Sequence, residues 1–215
     1  MRLYAVADIH AKPERLDRIQ SAVKKYSPDL LVMAGDICNY VQPRAVFSRL
    51  NALTVPVLAI RGNSDLAWHE RTLDRYSRIR SLHLQKIELQ GCEFVGVSGT
   101  VPVPFRTRLR LFEKRLTASV AQLVSPTTIL VVHPPPFGTL DRVLGRFNAG
   151  SRSVARIISS HRPRMVICGH IHEDPGMEWV GPTLVINCSI AQGGNGAMVD
   201  FDPVEPATAP AVEML

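Results

Sequence analysis

Seven side chains that can bind a metal ion occur in five short loops of this chain, each directly after a run of apolar residues. They are Asp8, His10, Asp36, Asn63, His133, His170 and His172. Carboxylate, amide and imidazole groups without a thiolate suit borderline or hard divalent ions such as Mn²⁺, Fe²⁺, Zn²⁺ or Mg²⁺. One histidine after a strand is usually structural, whereas seven candidates in equivalent positions indicate a metal site.

The apolar runs that precede these loops are rich in Val, Ile and Leu and do not alternate cleanly with polar residues. They cover residues 3–7, 30–34, 55–60, 129–132 and 165–168. Such runs are typical of strands that are buried on both faces. Amphipathic helical patterns separate the first three runs; in the first pattern Leu16, Ile19, Ala22 and Val23 share one face. This alternation predicts βαβ units, and ligands gather at the carboxyl ends of their strands.

Later parts of the chain predict antiparallel strand pairs and therefore a mixed sheet. One pair surrounds Gln90 and Gly91, and a second joins residues 183–188 to residues 198–201. Ser151 is a candidate N-cap for a helix over 152–160. We expect a single domain over residues 1–202. Residues 203–215, which are rich in Pro and Ala and lack periodicity, are predicted to form a loose tail.

Five ordered blocks of this sequence resemble those of the calcineurin-like metallophosphoesterases. The blocks are Asp8-Ile9-His10, Gly35-Asp36, Gly62-Asn63-Ser64-Asp65, His133 and Gly169-His170-Ile171-His172. Each block alone is weak, but all five in this order are highly specific. Glu173 and the run from His133 to Gly138 are similar to those of small stand-alone prokaryotic members. The resemblance implies an α/β fold in which two mixed sheets form a β-sandwich flanked by helices.

The same resemblance implies a role for each candidate ligand. The first divalent ion would be held by Asp8, His10 and His172, the second by Asn63, His133 and His170, and Asp36 would bridge both. The implied reaction is hydrolysis of a phosphodiester, or alternatively a phosphomonoester, by a hydroxide that bridges the ions. Asp36, Asn63 and His133 would serve catalysis by positioning metal and phosphate. We expect Mn²⁺, with Fe, Zn, Ni or Mg as alternatives.

Two positions, Ser64 and Ala11, depart from the family pattern, and a third residue, Asp65, lacks the histidine that it usually orients. Ser64 stands where many members have a catalytic histidine, and general acid help is typically worth about 10²–10⁴-fold. We therefore expect a preference for good leaving groups, a slow enzyme, or another proton donor, for which His69 is nearest in sequence although an exposed helix histidine is its more common role. Asp65 is expected to pair with Arg61 or to accept from Ser64. Ala11 replaces a glycine, so we expect no positive φ there.

The net charge of +6 favours anionic partners. Much of the excess lies in one segment, which contains Arg106, Arg108, Arg110, Lys114 and Arg115. We expect an anionic phosphoester such as a nucleotide as the partner. A nuclease that uses residues 106–115 is less favoured, because nothing in the sequence resembles a dedicated nucleic-acid module. A catalytically weak metal-binding interaction scaffold of the same fold is the other alternative.

Hydropathy and cysteine content indicate the cellular compartment that we expect for this protein. No apolar run approaches the roughly 20 residues that a membrane span needs, so we expect no membrane association. The four cysteines lie in or beside apolar stretches and form no CxxC pair, which favours buried thiols in a reducing compartment. The cytoplasm is the expected location.

Overall fold

Two six-stranded mixed sheets form the centre of the described part of the molecule, in a computed structural model that covers residues 1–39, 43–73, 75–99, 119–205 and 208–215. The first sheet contains β1 (Arg2–Val6), β2 (Leu30–Ala34), β3 (Val57–Ile60), β4 (Ile79–Ser81), β13 (Ala197–Asp200) and β14 (Ala211–Met214). Its strand order is β14-β13-β1-β2-β3-β4. The strands β1 to β4 are parallel, whereas β13 and β14 run antiparallel to their neighbours.

Helices join the parallel strands of this sheet, as the βαβ pattern predicts. They are α1 (Pro13–Tyr26), α2 (Pro43–Asn51) and α3 (Ala67–Leu73). Pro13 occupies the first turn of α1, where a missing N–H costs nothing. The face of α1 that carries Leu16 and Ile19 is buried against the sheet.

The second sheet contains β5 (Lys86–Leu89), β6 (Cys92–Val97), β7 (Thr128–Val132), β10 (Met165–Cys168), β11 (Gly176–Val180) and β12 (Thr183–Asn187). Its strand order is β11-β12-β10-β7-β6-β5. A small pair, β8 (Arg142–Val143) and β9 (Phe147–Asn148), lies outside both sheets. The predicted helix after Ser151 is present as α4 (Arg152–His161), and the Ser151 side chain accepts from Val154 N at 3.3 Å.

The hydrophobic core lies between the sheets and continues outward beneath the helices. Leu3 and Val32 of the first sheet belong to the same buried cluster as Phe94, Val131 and Ile167 of the second. Separate clusters join the first sheet to α1 and α2, and the second sheet to α4. This layering confirms the predicted two-sheet sandwich flanked by helices. The four cysteines are buried and unbridged.

Strand pairing near the carboxyl end differs from the prediction. The hairpin around Gln90 and Gly91 is confirmed as β5 and β6. The second predicted pair is wrong, because β12 pairs with β10 and β11 while β13 pairs with β1 and β14. Both strands are largely buried on both faces, and residues 188–196 carry the chain from one sheet to the other.

The expected loose tail is also wrong for its last residues. Ala211 to Met214 form β14, which pairs antiparallel with β13. Beyond it, Leu215 N donates to Gly196 O at 2.8 Å, and Asn195 N donates to Leu215 O at 2.8 Å. The open edge of β13 supplies backbone partners that outweigh the lack of periodicity in the tail.

Two further expectations concern the basic segment and membrane spans. The basic segment 106–115 lies outside them. Within the described part of the chain, no helix has the length and apolar character needed to cross a membrane.

Candidate metal centre

The loops that carry the seven candidate ligands meet at one edge of the sandwich. Three of these loops follow the parallel strands β1, β2 and β3, and the others follow β7 and β10 of the second sheet. The loops are tied together by backbone bonds: Asp8 N donates to Gly35 O at 3.1 Å, and Gly169 N donates to His133 O at 2.9 Å. Side chains from distant parts of the sequence therefore reach one place.

A first group consists of Asp8, His10 and His172, whose ligand atoms lie within 4.8 Å of one another. Asp8 is fully buried, and its Oδ2 accepts from the backbone N–H of His170 at 3.0 Å. Its Oδ1 lies 3.3 Å from His172 Nε2 but accepts no hydrogen bond from the described residues. A buried carboxylate oxygen without a donor is costly unless another ligand, such as a cation, contacts it.

A second group surrounds His133, which is fully buried. His133 Nδ1 lies 2.7 Å from Ala34 O, and a carbonyl only accepts, so Nδ1 carries a proton and Nε2 faces the other ligands. This Nε2 lies 3.1 Å from Asn63 Oδ1 and 3.4 Å from Asp36 Oδ2. The ring of His170 is next to it, with centroids 5.0 Å apart.

Asp36 lies between the two groups. Its Oδ2 is 3.4 Å from His133 Nε2 in the second group and 3.8 Å from His10 Nε2 in the first. The structure thus brings all seven predicted residues together: ligand atoms of six of them lie close to one another, and the ring of His170 lies beside that of His133. This donor set and the unpartnered Asp8 Oδ1 fit divalent cations.

Ser64 contacts Asp36 from the loop after β3. Its backbone N–H donates to Asp36 Oδ1 at 2.8 Å and its hydroxyl donates to Asp36 Oδ2 at 2.9 Å. The serine at the position of the family's histidine therefore orients the central carboxylate. Its hydroxyl proton is already used in that bond.

Asp65 accepts three hydrogen bonds from backbone N–H groups. Neither of the partners expected from the sequence, Arg61 and Ser64, is among the donors. The donors are Ile37 N at 3.1 Å, Cys38 N at 2.7 Å and Gly62 N at 2.9 Å. The expectation that Asp65 pairs with Arg61 or accepts from Ser64 is wrong, because the carboxylate is buried where two loops leave backbone donors unpaired. Asp65 joins the loop of Asp36 to the loop of Asn63.

Four of the candidate ligands have left-handed backbone conformations. Asp8, His10, Asp36 and His170 have φ values of 62°, 51°, 52° and 70°. Ala11 also has a positive φ of 55°, so the expectation of another conformation there is wrong. Backbone bonds hold this turn, because His10 N donates to Asp36 O at 2.8 Å and Ala11 N donates to Ile37 O at 2.9 Å. Such conformations are costly for residues other than glycine and often occur at functional sites.

Two glycines allow the carboxylates to approach the backbone of a neighbouring loop. A Cβ atom on Gly62 would collide with the Oδ1 and backbone N of Asp36. A Cβ atom on Gly169 would collide with Ala7 and lie 2.8 Å from Asp8 Oδ2. The glycines of the Gly62-Asn63 and Gly169-His170 blocks are therefore required by packing against the two carboxylates.

The local environment shifts the pKa values of five candidate ligands, and burial lowers the pKa of one of them, His10. Burial raises the pKa of Asp8 and of Asp36, but hydrogen bonds and nearby histidines outweigh it, so both pKa values lie below the ordinary value. Burial lowers the pKa of His133, yet Asp36 and Asp8 raise it overall to about 9. Burial and the neighbouring His133 lower the pKa of His170 to about 4. The carboxylates are thus ionised and His170 is neutral at neutral pH, while a cation at His133 must displace a proton.

Arg15 and Asn187 support the site and were not predicted. Arg15 is buried in α1, and its Nη1 and Nη2 donate to Asp8 O and Ala191 O, each at 2.7 Å. Asn187 Nδ2 donates to Ile171 O at 2.8 Å and to Asp174 O at 2.9 Å, which orders the loop after β10. Arg15 stands on the helix face otherwise formed by Leu16, Ile19, Ala22 and Val23, a position that could have identified it.

His69 does not replace the missing histidine. It is buried, not exposed as its more common role would suggest, because its ring packs against Phe47 and Trp68. Its Nδ1 accepts from Leu66 N at 3.2 Å. Among the described residues, no hydrogen bond or ring contact joins it to the seven candidate ligands.

Comparisons with known proteins identify the family and the fold of this chain. A family model described as calcineurin-like phosphoesterase matches residues 1–174. An uncharacterized protein of Methanocaldococcus jannaschii is 28% identical over 200 residues, covering 88% of each chain. A Synechococcus protein named probable cyclic nucleotide phosphodiesterase is 27% identical over 157 residues, covering 70% of this chain and 60% of the relative. The solved structure of an archaeal phosphodiesterase is 14% identical, covers 100% of both chains and superposes with a TM-score of 0.60.

Proposed function

This chain belongs to the calcineurin-like phosphoesterase family, and we propose that it hydrolyses phosphodiester bonds with two divalent metal ions. The observation that carries the proposal is the position of Asp36, whose Oδ2 lies 3.8 Å from His10 Nε2 and 3.4 Å from His133 Nε2. A carboxylate between two groups of ligands can serve an ion in each group.

In this proposal each ion has three protein ligands of its own, and the two ions share a fourth ligand. Asp8, His10 and His172 would hold the first ion, Asn63, His133 and His170 would hold the second, and Asp36 would contribute to both. Oxygen and nitrogen ligands favour Mn²⁺ as the first expectation, with Fe, Zn, Ni or Mg as alternatives. Two such ions, when bound, lower the pKa of a shared water and attract phosphoryl oxygens.

Charge balance favours an anionic substrate at this edge of the sheets. Asp8 and Asp36 each contribute one negative charge and Asn63 contributes none, so two divalent ions leave the site positive. We therefore propose an anionic phosphoester small molecule, such as a nucleotide, as the partner. The name of the Synechococcus relative supports phosphodiesters as the first substrate class to test, with phosphomonoesters second.

Ser64 bears on how the leaving group departs. Its hydroxyl donates to Asp36 at 2.9 Å, and a serine is in any case too weak an acid to protonate an alkoxide leaving group efficiently near neutral pH. The proposal therefore includes a preference for substrates whose leaving groups depart without a proton.

The test combines metal analysis with hydrolysis. Protein purified without chelator is analysed for bound metal, and its hydrolysis of bis-p-nitrophenyl phosphate is measured with added Mn²⁺. Asp36→Asn is expected to lower kcat/KM by more than about 100-fold, since even indirect supports of metal ligands are worth about 10–100-fold. Asp17→Asn, which changes a surface carboxylate paired with Arg49, is the matched control and is expected to change kcat/KM less than about twofold.

Two outcomes would overturn the proposal. Metal binding without hydrolysis of any diester or monoester in a panel would favour the interaction scaffold of the same fold. Hydrolysis that survives both chelation and Asp36→Asn would show that the reaction does not use these ligands.

A further inference from the structure

A groove between α2 and α3 presents three arginines beside an exposed tryptophan. Its cavity of about 360 Å³ is lined by Arg44 and Phe47 of α2 and by Trp68, Arg71, Arg75 and Tyr76 of α3 and the turn that follows. An adjoining cavity shares Arg44 and Trp68, so the groove continues along the start of α2. None of the seven candidate metal ligands lines it.

The spacing of residues in α3 explains why these side chains face the groove together. Trp68, Arg71 and Arg75 are three and four residues apart, which places them along one side of the helix and its last turn. The Trp68 ring contacts the buried ring of His69, with centroids 4.3 Å apart, yet Trp68 is 48% exposed. Tyr76 packs against the buried Phe47, with centroids 5.7 Å apart. The groove therefore has a packed aromatic floor, and the half-exposed Trp68 lines it.

The groove is also positively charged without compensation among the described residues. Arg44, Arg71 and Arg75 are exposed, and no ion pair or hydrogen bond of their guanidinium groups is found in the described part of the chain. Nearby arginines differ: Arg49 pairs with Asp17 at 2.6 Å, and Arg61 lies 3.6 Å from Glu70. No carboxylate is among the described lining residues, and Asp74, the acidic residue between Arg71 and Arg75 in sequence, lies outside the described ranges.

We propose that this groove binds a nucleotide, with the base on Trp68 and the phosphate on Arg71 and Arg75. Guanidinium groups bind phosphate oxygens through paired, charge-assisted hydrogen bonds. Nucleobases stack on exposed aromatic faces. A cavity of about 360 Å³ has the size of a small-molecule site. The inference is independent of hydrolysis at the metal centre.

Fluorescence of Trp68 provides the test. The chain has two tryptophans, so Trp179→Phe leaves Trp68 as the single reporter. The full-length variant is titrated with AMP, adenosine and ribose 5-phosphate, with and without Mn²⁺. AMP is expected to quench the signal equally in both conditions and to bind at least about tenfold more tightly than either fragment. Arg71→Gln combined with Arg75→Gln is expected to weaken AMP binding by about tenfold or more.

Matched controls separate this proposal from general electrostatics and from the metal centre. Arg156→Gln removes one exposed charge on α4, away from the groove, and is expected to leave AMP binding within about twofold. Hydrolysis of bis-p-nitrophenyl phosphate is measured on every variant, so loss of the groove and loss of the metal centre are distinguished. The inference fails if quenching requires Mn²⁺, if ribose 5-phosphate binds as well as AMP, or if the paired arginine substitution leaves affinity unchanged.

Discussion

Ser64 orients the central carboxylate from the position at which many family members have a proton-donating histidine. Its backbone and hydroxyl both donate to Asp36, at 2.8 and 2.9 Å. These bonds lower the pKa of Asp36 together with those from His133 and so favour the ionised carboxylate that a cation needs. His69, the nearest histidine in sequence, is buried beside Phe47 and Trp68 and cannot take over the proton transfer.

Substitution Ser64→His is therefore expected to change substrate preference. A histidine there can protonate an alkoxide, whereas p-nitrophenolate leaves without help, so the ratio of kcat/KM for alkyl over p-nitrophenyl diesters is expected to rise about tenfold or more. The ratio is the measured quantity, since loss of the serine hydroxyl bond to Asp36 lowers both rates alike. Ser64→Thr keeps the hydroxyl and is expected to leave the ratio unchanged. An equal change for alkyl and aryl substrates in Ser64→His would contradict the leaving-group explanation.

At the residue scale, the sequence predicts where the candidate ligands meet better than it predicts the residues that support them. The seven candidates follow apolar runs in a recognisable order, so their meeting is expected from parallel strand topology. Asp65 accepts from backbone atoms, and backbone partners leave no pattern of residue types in the sequence. Arg15 can be recognised as a charged residue on an apolar helix face, but its backbone partners cannot. Ala11 shows the same limit, because bonds from its loop to the Asp36 loop outweigh its own conformational preference.

The loops after β2 and β3 form one unit around Asp36. Asp65 accepts from Cys38 N at 2.7 Å and from Gly62 N at 2.9 Å, so each loop fixes the position of the other. Gly62 approaches Asp36 so closely that a Cβ atom would overlap its carboxylate oxygen. The position of the central ligand thus depends on how two loops pack.

Gly62→Ala is expected to disrupt this unit. Overpacking of a tight contact typically costs about 1–3 kcal/mol of unfolding free energy, and displacement of Asp36 is expected to weaken Mn²⁺ binding by more than about tenfold. Urea unfolding and calorimetric titration measure the two effects. Gly194→Ala is the matched control, because its nearest atoms would be 3.5 and 3.8 Å away, and we expect a change within about 0.5 kcal/mol. Unchanged Mn²⁺ affinity in Gly62→Ala would show that Asp36 is not the shared ligand.

At the scale of elements, buried strands and helix faces were predictable because each leaves a local pattern: a continuous apolar run for the strands and helical periodicity for the helices. The partners of β12 and β13 were not, since two strands that are buried on both faces carry no polar face to distinguish one sheet from the other. Strand β14 was missed because its residues are mostly exposed and their order comes from the edge of β13. Local patterns predict that a strand exists, whereas pairing depends on the rest of the fold.

At the scale of the whole molecule, the candidate metal centre joins the two sheets. The first sheet supplies Asp8, His10, Asp36 and Asn63, and the second supplies His133, His170 and His172. Direct bonds already cross between them: His133 Nδ1 donates to Ala34 O at 2.7 Å, and His170 N donates to Asp8 Oδ2 at 3.0 Å. Cations bound by both sets would strengthen the same connection.

Metal binding is therefore expected to raise the thermal stability of the entire fold. A ligand at about 100 times its Kd stabilises the native state by about 2.7 kcal/mol, and 1 kcal/mol shifts Tm by about 2–4 °C in a chain of this size. Mn²⁺ is thus expected to raise Tm by about 5–10 °C over chelated protein in calorimetry. His172→Ala, which removes a partly exposed ligand side chain at little cost in packing, is expected to reduce that shift by at least about half. An equal shift in both proteins would place the bound ion elsewhere, because stabilisation through this centre requires its ligands.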